Sequence, residues 1–429
     1  QRKNTMQDFP PAGFVQIESK LDGIRVYKPA PEDKSPHQPL VEFKCPQCGG
    51  TTYFDIEEKA LVCKYCGYKA PGQEQVVGKS AAELEFTMDA LEQTHHGWGN
   101  QRKELVCHHC GAIISLPMES ISHTCPFCAS NEVIQRLDQQ ESLRPKFLIP
   151  FTLVPENCQK LAQQWLSSNW MTPSGLNQAA KLQRFTSIYL PFWTFDALNS
   201  ADWKAEVGHS QTQRYYENGE WKQRTIIVWR LESGQVRLNV DDLLIPGSAQ
   251  VSYRIVKRIN GFDLNALVPY DVKYLAGIQA QAYTLNLEKA WELARQEMRE
   301  SIRQACIADA STQRIRNFQM TLDFADESWR YILLPFYVSA YSYQGKVYQV
   351  MVNGQSGTIA GQRPVDWTKF WLVMGAILAP GVLVGLLGLV TIPLAGFGSI
   401  LTVIGFILFL IGLVLVYIFF NQAQKMDDE

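Results

Sequence analysis

Eight of the chain's ten cysteines fall into two sets that share one spacing. The sets are Cys45-x2-Cys48-x14-Cys63-x2-Cys66 and Cys107-x2-Cys110-x14-Cys125-x2-Cys128. Two CxxC pairs joined by a hairpin can bring four thiolates to the corners of a tetrahedron, which is how structural Zn²⁺ is bound. Equal loops in both sets argue against disulfides and against a thioredoxin-type redox pair. The sequence therefore predicts two zinc ribbons that hold two structural Zn²⁺ ions, although iron accepts the same ligands.

The residue after each CxxC pair supports this interpretation for three of the four pairs. Gly49, Gly67 and Gly111 stand where a tight turn requires a positive φ, which glycine adopts without strain. The fourth pair is followed by Ala129 and departs from the pattern. All eight cysteines are predicted to be metal ligands.

A nucleotide-hydrolysing site is not predicted. Gly78-Lys79-Ser80 resembles the end of a phosphate-binding loop, but that motif requires glycine where the chain has Gln73. Metal-assisted hydrolysis is also disfavoured, because four cysteine ligands leave no open coordination position for a water molecule.

The other candidate catalytic residues also lack the sequence neighbours that a catalytic site would need. Asp241 and Asp242 are neighbours, and neighbouring side chains on a strand point to opposite faces, so the pair should not share one substrate. His209 lacks the sequence context of a catalytic histidine. We therefore expect no catalytic residues and no enzyme; a cleft that gathers Asp196, His209 and Asp241 would be the sign of one.

The C-terminal region supplies the element that would place the ribbons in the cell. Residues 370–420 contain no charged side chain, and about 20 apolar residues suffice for one membrane span. We predict two transmembrane helices, at 370–392 and 398–420. A stripe of small residues in each would let two helix backbones approach closely, within one hairpin or between two copies. These residues are Gly381, Gly385, Gly398, Gly405 and Gly412.

The charged flanks of this hairpin predict its orientation. Arg363 and Lys369 precede it and Lys425 follows it, and basic flanks favour the cytoplasmic side. Thiolate metal sites also suit a reducing compartment, and nothing like a secretory signal opens the chain. We expect an inner-membrane protein whose N-terminal soluble region and C-terminus both face the cytoplasm. No acidic or basic residue lies in the spans, so a transporter or channel is disfavoured.

Nucleic acid is the less favoured partner. Binding to phosphates requires surplus lysine and arginine, whereas this chain has a formal net charge of −2. Asp55, Glu57 and Glu58 interrupt the lysines of the first ribbon. A membrane-tethered nucleic-acid-binding protein is the alternative to a protein-binding role, and no small-molecule substrate is predicted.

The chain divides into seven predicted segments. They are an extended N-terminal arm (1–40), zinc ribbon 1 (41–70), a linker with a short helix (71–102), zinc ribbon 2 (103–135), an α+β domain with two β-meanders (143–366), two transmembrane helices (367–422) and an acidic cytoplasmic tail (423–429). The arm includes an alternating stretch at 13–17 that is typical of an edge strand. In the linker, residues 79–94 have helical spacing, and His95-His96 are interpreted as loop residues because each cysteine set is already complete.

The α+β domain is predicted from repeated sequence signals. Leu190-Pro191-Phe192-Trp193 and Leu334-Pro335-Phe336-Tyr337 each begin an alternating strand, and hairpin turns are predicted at Asn218-Gly219, Ser233-Gly234, Gln344-Gly345 and Asn353-Gly354. Helices are predicted to begin at Pro155 and at Asn286, the second running to Cys306 with one apolar face. Cys158 and Cys306 are expected to be buried thiols. Mixed sheets half covered by helices define an α+β fold class.

The chain resembles bacterial membrane-anchored double zinc-ribbon proteins of the YdjG-like type, which are encoded beside flotillin-like (SPFH) and phage-shock-A-like stress proteins. The resemblance depends on the paired CxxC sets, on Leu334–Tyr337, on 345–365 and on the transmembrane segment that follows. It implies a non-enzymatic adaptor that helps to place a flotillin-like scaffold at the membrane during envelope stress. It also implies that the eight cysteines bind zinc, and it offers no catalytic residue.

Overall fold

A computed structural model of the protein describes residues 14–17, 26–29, 43–70, 76–81, 83–85, 102–117, 125–128, 130, 133–136, 143–176, 181–182, 184–248, 253–259, 261–391 and 398–428. The chain separates into two compact units, 1–42 and 43–429. In the first unit, strand β1 (Phe14–Ile17) pairs antiparallel with β2 (Val26–Pro29). This agrees with the predicted edge strand in the N-terminal arm.

The second unit contains the remaining strands. They are β3 (Thr52–Asp55), β4 (Ala60–Cys63), β5 (Leu84–Glu85), β6 (Arg102–Cys107), β7 (Ile113–Pro117), β8 (Val133–Arg136), β9 (Phe147–Leu148), β10 (Lys181–Leu182), β11 (Thr186–Glu217), β12 (Glu220–Pro246), β13 (Val268–Pro269), β14 (Gln279–Ala280), β15 (Ile315–Tyr343), β16 (Lys346–Asn353) and β17 (Ile359–Gly361). Among the described residues, β3 and β4 form a separate pair, and the other strands of this unit form one mixed sheet. The predicted α+β fold class is confirmed.

Three unusually long strands make up most of this sheet. β11 pairs antiparallel with β12 on one side and with β15 on the other. The strands have 32, 27 and 29 residues, whereas ordinary strands have about 3–10. At about 3.3 Å per residue, β15 extends over roughly 95 Å.

The two Leu-Pro-Phe segments, 190–193 and 334–337, lie inside β11 and β15 rather than at their starts. Both strands have partners on each side there, and the side chains are buried. The sequence analysis predicted that each segment begins a strand, and this is wrong. The segments form the core of the sheet and offer no free edge to a partner.

Most of the predicted turns are confirmed. Asn218 and Gly219 have φ values of 53° and 85° between β11 and β12, and Gln344 and Gly345 have 49° and 80° between β15 and β16. Two consecutive positive φ values are typical of a type I′ hairpin turn. Ser233-Gly234 is an exception, since it lies inside β12. Glycine is required there because a Cβ atom would lie 2.7 Å from Nε1 of Trp203.

The predicted linker helix is also wrong where the structure describes it. Gly78–Ser80 form one 3-10 turn, and Leu84–Glu85 are the short strand β5, which pairs with β15. Residues whose spacing predicts a helix therefore pair with the edge of the long sheet instead. His95 and His96 lie outside the described residues.

The helices follow their sequence signals. Helix α1 (Pro155–Ser167) begins at Pro155, and α2 (Tyr253–Ile259) is short. Helix α3 (Leu287–Asp309) is capped by Asn286, whose side chain accepts a hydrogen bond from the backbone N–H of Lys289. Its apolar face packs on β11 and β12, and Cys158 and Cys306 are buried as expected.

Two long apolar helices complete the chain. They are α4 (Trp367–Thr391) and α5 (Gly398–Asp428), and both are long and apolar enough to cross a membrane. The predicted glycine stripe packs within the hairpin, since a Cβ atom on Gly405 would lie 2.3 Å from the backbone nitrogen of Gly385. The hairpin contacts the soluble part beside α1, where the ring of Trp170 stacks on that of Phe370 at 6.4 Å.

Candidate metal centres and a partly buried acidic cluster

The first candidate metal centre lies in ribbon 1 (residues 43–70), at the base of the β3–β4 hairpin. Its sulfur atoms approach in pairs, with 3.4 Å between Sγ of Cys45 and Cys66 and 3.5 Å between Sγ of Cys48 and Cys63. All four sulfur atoms lie within 4.8 Å of one another. Cys45 and Cys63 are buried, whereas Cys48 and Cys66 are exposed.

The second candidate centre lies in ribbon 2, whose described residues (102–117, 125–128, 130 and 133–136) include β6, β7 and β8. Sγ of Cys107 lies 3.6 Å from Sγ of Cys128, and Sγ of Cys110 lies 3.6 Å from Sγ of Cys125. These four sulfur atoms also lie within 4.8 Å of one another. Cys107 and Cys125 are fully buried, and the other two cysteines are half-buried.

Backbone hydrogen bonds fix the cysteine turns in one repeated form. The N–H groups of Gly49, Gly67 and Gly111 donate to the carbonyl of the first cysteine of their turn at 2.8–3.0 Å. These glycines have φ values of 70–73°, as the sequence predicts. In all four turns the N–H of the first cysteine also donates to the carbonyl five residues later; in the fourth turn Cys125 donates to Ser130 at 2.8 Å. Ala129 lies outside the described residues.

The sulfur geometry fits a tetrahedral metal ion. A Zn–S bond of about 2.3 Å implies about 3.8 Å between the sulfur atoms of a regular tetrahedron. The separations of 3.4–3.6 Å are close to this value and far longer than a disulfide bond, and all ten cysteines are free thiols. Each group of four could therefore hold one ion with all four ligands supplied by cysteine.

The electrostatics of the quartets also favour a cation. The backbone N–H of Cys66 is the largest influence on Cys63, and the pKa of the Cys63 thiol falls to about 6. The N–H of Tyr68 lowers the pKa of Cys66, but partial loss of water around its sulfur and the three neighbouring thiols outweigh it and raise that pKa to about 12. In ribbon 2, burial raises the pKa of Cys125. Because adjacent thiolates repel one another, four can ionise together only beside a positive ion.

The two ribbons differ in how they join the protein. In ribbon 1, the N–H of Phe54 donates to the carbonyl of Ala276 at 3.0 Å, and the Phe54 ring packs on Tyr274. The opposite side is open, and Tyr65 is 77% exposed. In ribbon 2, β7 pairs with β14, and Cys107 and Cys125 belong to the main hydrophobic core. Ribbon 2 is therefore continuous with the sheet of the body, whereas ribbon 1 is a separate hairpin that docks on the body through the buried Phe54 ring.

The structure also reveals a cluster that the sequence analysis missed. Asp196, Asp241 and Asp242 bring carboxylate oxygens within 4.8 Å of one another. A β-bulge causes this, because Asp241 and Asp242 on β12 together oppose Asp196 on β11, and Asp242 has a φ of 59°. The rule that neighbouring strand residues face opposite sides fails at such a bulge, so the expectation that these two side chains point to opposite faces is wrong. An Asp-Asp pair near a strand end was the available signal.

A buried arginine occupies the centre of this cluster. The side chain of Arg330 is 1% exposed and forms an ion pair with Asp242; its Nη2 also lies 3.4 Å from Glu83 and 3.9 Å from Asp196. Lys79 lies 3.0 Å from Asp241. Burial raises the pKa of Asp242 and raises the pKa of Asp196 to about 6. Since two cations offset part of the charge of these carboxylates, the cluster is a partly buried ion-pair network that ties Lys79 and Glu83 to the sheet.

The grouping that would have indicated an enzyme is not formed. Asp196 and Asp241 are together, but His209 lies thirteen residues farther along β11, about 43 Å along the strand at 3.3 Å per residue. There His209 Nε2 lies 2.8 Å from Glu232 and 3.3 Å from the hydroxyl of Ser311. These are contacts of an exposed sheet region rather than of a cleft.

These features define an α+β protein with two four-cysteine groups that could each hold a metal ion and two apolar helices that are compatible with membrane association. The chain is 25% identical over 339 residues to a Bacillus subtilis (strain 168) protein that bears the name "Uncharacterized protein YdjG". The alignment covers 77% of this chain and 92% of that protein. No protein-family model matches the chain, and no solved structure matches it. The resemblance noted in the sequence thus extends over most of the chain as a distant similarity.

Proposed function

We propose that this protein is a membrane-anchored adaptor that recruits another protein to the cytoplasmic face of the bacterial inner membrane. The observation that carries the proposal is the surface position of ribbon 1. Its four-cysteine group is closed, its hairpin is attached through Phe54, and its other side is open to a partner. Such a module has a rigid surface and no coordination position at which a substrate could bind.

Zinc is the metal that we propose for both quartets. Four thiolates in a tetrahedron suit Zn²⁺, and a small hairpin without its own core gains folding free energy from the ion. Ribbon 2 is half buried in the main core, so its ion would stabilise the body. In ribbon 1 the ion would hold the shape of a binding surface.

The absence of catalysis is part of the proposal. Within the described residues, the one carboxylate cluster lacks a histidine and is neutralised in part by Arg330 and Lys79. The neighbouring hydroxyl of Ser328 donates to Glu83 at 2.7 Å and so is already held within the network. The apolar hairpin would supply location, with its basic flanks on the cytoplasmic side. A flotillin-like or phage-shock-A-like protein is the proposed partner, and this choice depends on the family resemblance alone.

Recovery of partners from native membranes tests the proposal. The tagged full-length protein is extracted in mild detergent, and co-purifying proteins and bound metal are measured in the same sample. We expect about two zinc ions per chain and a flotillin-like or phage-shock-A-like partner. Recovery without a protein partner, or with nucleic acid in its place, would contradict the adaptor function.

Two variants localise the binding surface. Cys45→Ser/Cys48→Ser should remove one zinc ion and the partner while the hairpin still inserts in the membrane. Tyr65→Ala keeps all eight cysteines and removes only an exposed ring, so it should weaken partner recovery at full zinc content. If both variants recover the partner as well as the wild type does, ribbon 1 is not the binding surface.

A further inference from the structure

The long sheet has two edges that no described strand covers. β12 pairs only with β11, and over Ile315–Glu327 the strand β15 also pairs only with β11. Uncovered edges of this length offer backbone N–H and C=O groups to another strand, and natural proteins normally shorten, twist or cover them. The positive-φ residues Asn317 and Asp326 delimit a regular stretch, 318–325, on the β15 edge.

The two edges run in the same direction. β11 is antiparallel to both β12 and β15, so these outer strands are parallel to each other. A second copy placed beside the first by a lateral shift would bring its β15 edge against the β12 edge in a parallel pairing. Such a shift preserves the orientation of the copy, so the α4–α5 hairpins of both copies would point in the same direction.

Charges at the two edges are complementary at one level of the sheet. Ser200 of β11 lies opposite Arg237 of β12 and opposite Asp323 of β15, so all three residues share one level. Arg237 and Asp323 are exposed, and neither forms an ion pair with a described residue. In a copy shifted laterally, Asp323 would come to the level of Arg237. Opposite charges on adjacent strands stabilise pairing.

On the opposite face of the sheet, the apolar side chains of β12 and β15 also lie at matching levels. Ala201 lies opposite Val236 and Leu322, and Asn199 lies opposite Leu238 and Phe324, on the face that α3 covers. These four apolar residues of the outer strands are only half-buried. Helix α3 packs mainly on β12 and β11, and its Arg295 lies over the ring of Phe324 at 4.8 Å. Leu322 and Phe324 nevertheless stay half-buried at the edge, where an added strand would bury them further.

We propose that the protein assembles with itself through these edges, β12 of one copy pairing in parallel with β15 of the next. The edges differ, so the contact is head to tail and leads to a ring or an extended row of copies rather than to a two-fold dimer. This goes beyond the adaptor function and does not depend on it.

Charge reversal tests the pairing on the full-length protein in detergent micelles. Arg237→Asp and Asp323→Arg are each made singly, with different affinity tags, and the mass of the particles is measured over a concentration series. Each variant alone places like charges across the contact, so the midpoint of association should shift about tenfold to higher concentration. The two variants mixed restore an Asp–Arg pair and should co-purify and associate as the wild type does.

Lys204→Glu is the matched control. Lys204 is exposed on the same face but belongs to the central strand β11, so its reversal should leave association unchanged. Wild-type protein that is monomeric throughout the concentration series overturns the proposal. Single variants that associate as well as the wild type also overturn it, because the contact would then lie in the hairpin or elsewhere. Failure of the mixture also overturns it, provided that metal content and circular dichroism match the wild type. If a single variant fails to fold, Arg237→Gln and Asp323→Asn replace it, and each should still weaken association.

Discussion

Phe54 in ribbon 1 and Ala276 in the folded body are joined by one backbone hydrogen bond of 3.0 Å. This bond, the burial of Phe54 in a core cluster and the packing of Phe43, Ile56 and Leu61 beside it attach ribbon 1, which keeps its own two-stranded sheet. Ribbon 2 instead shares a sheet with the body and places two of its four cysteines in a core. The two four-cysteine groups are alike in spacing but differ in what depends on them. Metal loss should therefore have a local effect in ribbon 1 and a global effect in ribbon 2.

Serine substitution in each quartet measures this difference. We expect Cys45→Ser/Cys48→Ser to lower the zinc content to one ion and to leave the main thermal transition within a few degrees of the wild type. Cys107→Ser/Cys110→Ser should abolish that transition, because structural zinc contributes about 10–16 kcal/mol and a domain is stable by only about 5–15 kcal/mol. Tryptophan fluorescence during heating and metal analysis provide the two readouts.

A buried thiol outside the quartets supplies the control for this comparison. Cys306→Ala removes a cysteine that lies in the α3 core, so it should retain two zinc ions and cost about 1 kcal/mol of stability. Equal destabilisation by the two double-serine variants would contradict the asymmetry.

The sequence predicted the elements that depend on local signals. The cysteine spacing, the two positive-φ hairpin turns, the Asn286 cap and the apolar helices are each encoded within a few residues of where they act. The predicted helix at 79–94 failed because the edge of β15 pairs with Leu84–Glu85 and overrides local propensity. That edge is more than 240 residues away in the chain, and no local pattern reports it.

The acidic cluster was missed for a different physical reason. Period-two alternation is a sound rule for regular strands, and it places Asp241 and Asp242 on opposite faces. One extra residue in β12 opposite Asp196 cancels the alternation there. The bulge depends on the pairing register of β11 and β12, which is set by the hairpin turn at Asn218-Gly219 and by the core far from the pair.

Arg330 should be a strong determinant of stability. Asp242→Asn removes the charge that faces its buried guanidinium, and breaking a buried pair from one side costs about 3–5 kcal/mol. Arg330→Met alone leaves the carboxylates without their cation and should cost a similar amount. The double variant Asp242→Asn/Arg330→Met should cost clearly less than the sum of the two, because neither charge is then left alone. Chemical denaturation of the four proteins measures the coupling, and additive losses would contradict it.

Asp196 should make stability fall as the pH rises. Its pKa is raised, chiefly by burial, from 3.8 to about 6, so the folded protein holds this proton more tightly than the unfolded chain. The stabilisation is complete below about pH 4 and is lost as the pH rises through 6. Between pH 5 and pH 7.5 the free energy of unfolding of the wild type should therefore fall by about 1 kcal/mol more than that of Asp196→Asn. Asparagine is chosen because its side-chain oxygen can still accept a hydrogen bond from the N–H of Asp242.

Denaturation at both pH values, with metal content checked at each, measures this change. Asp202→Asn is the control, since Asp202 is exposed on the same strand and should leave the pH dependence of the wild type unaltered. The explanation fails if Asp196→Asn retains the full wild-type pH dependence.

Replacing a glycine of the α4–α5 hairpin by alanine should destabilise the hairpin at some positions and not at others. A Cβ atom on Gly405 would lie 2.3 Å from the backbone nitrogen of Gly385, so Gly405→Ala must push α5 away from α4 and should cost about 1–3 kcal/mol. Gly375→Ala meets nothing within 4 Å and should be neutral or slightly stabilising, because alanine favours a helix over glycine. Far-UV circular dichroism during heating in micelles compares the two variants. Equal melting of the two would mean that the glycines of α5 are not needed for close packing of the hairpin.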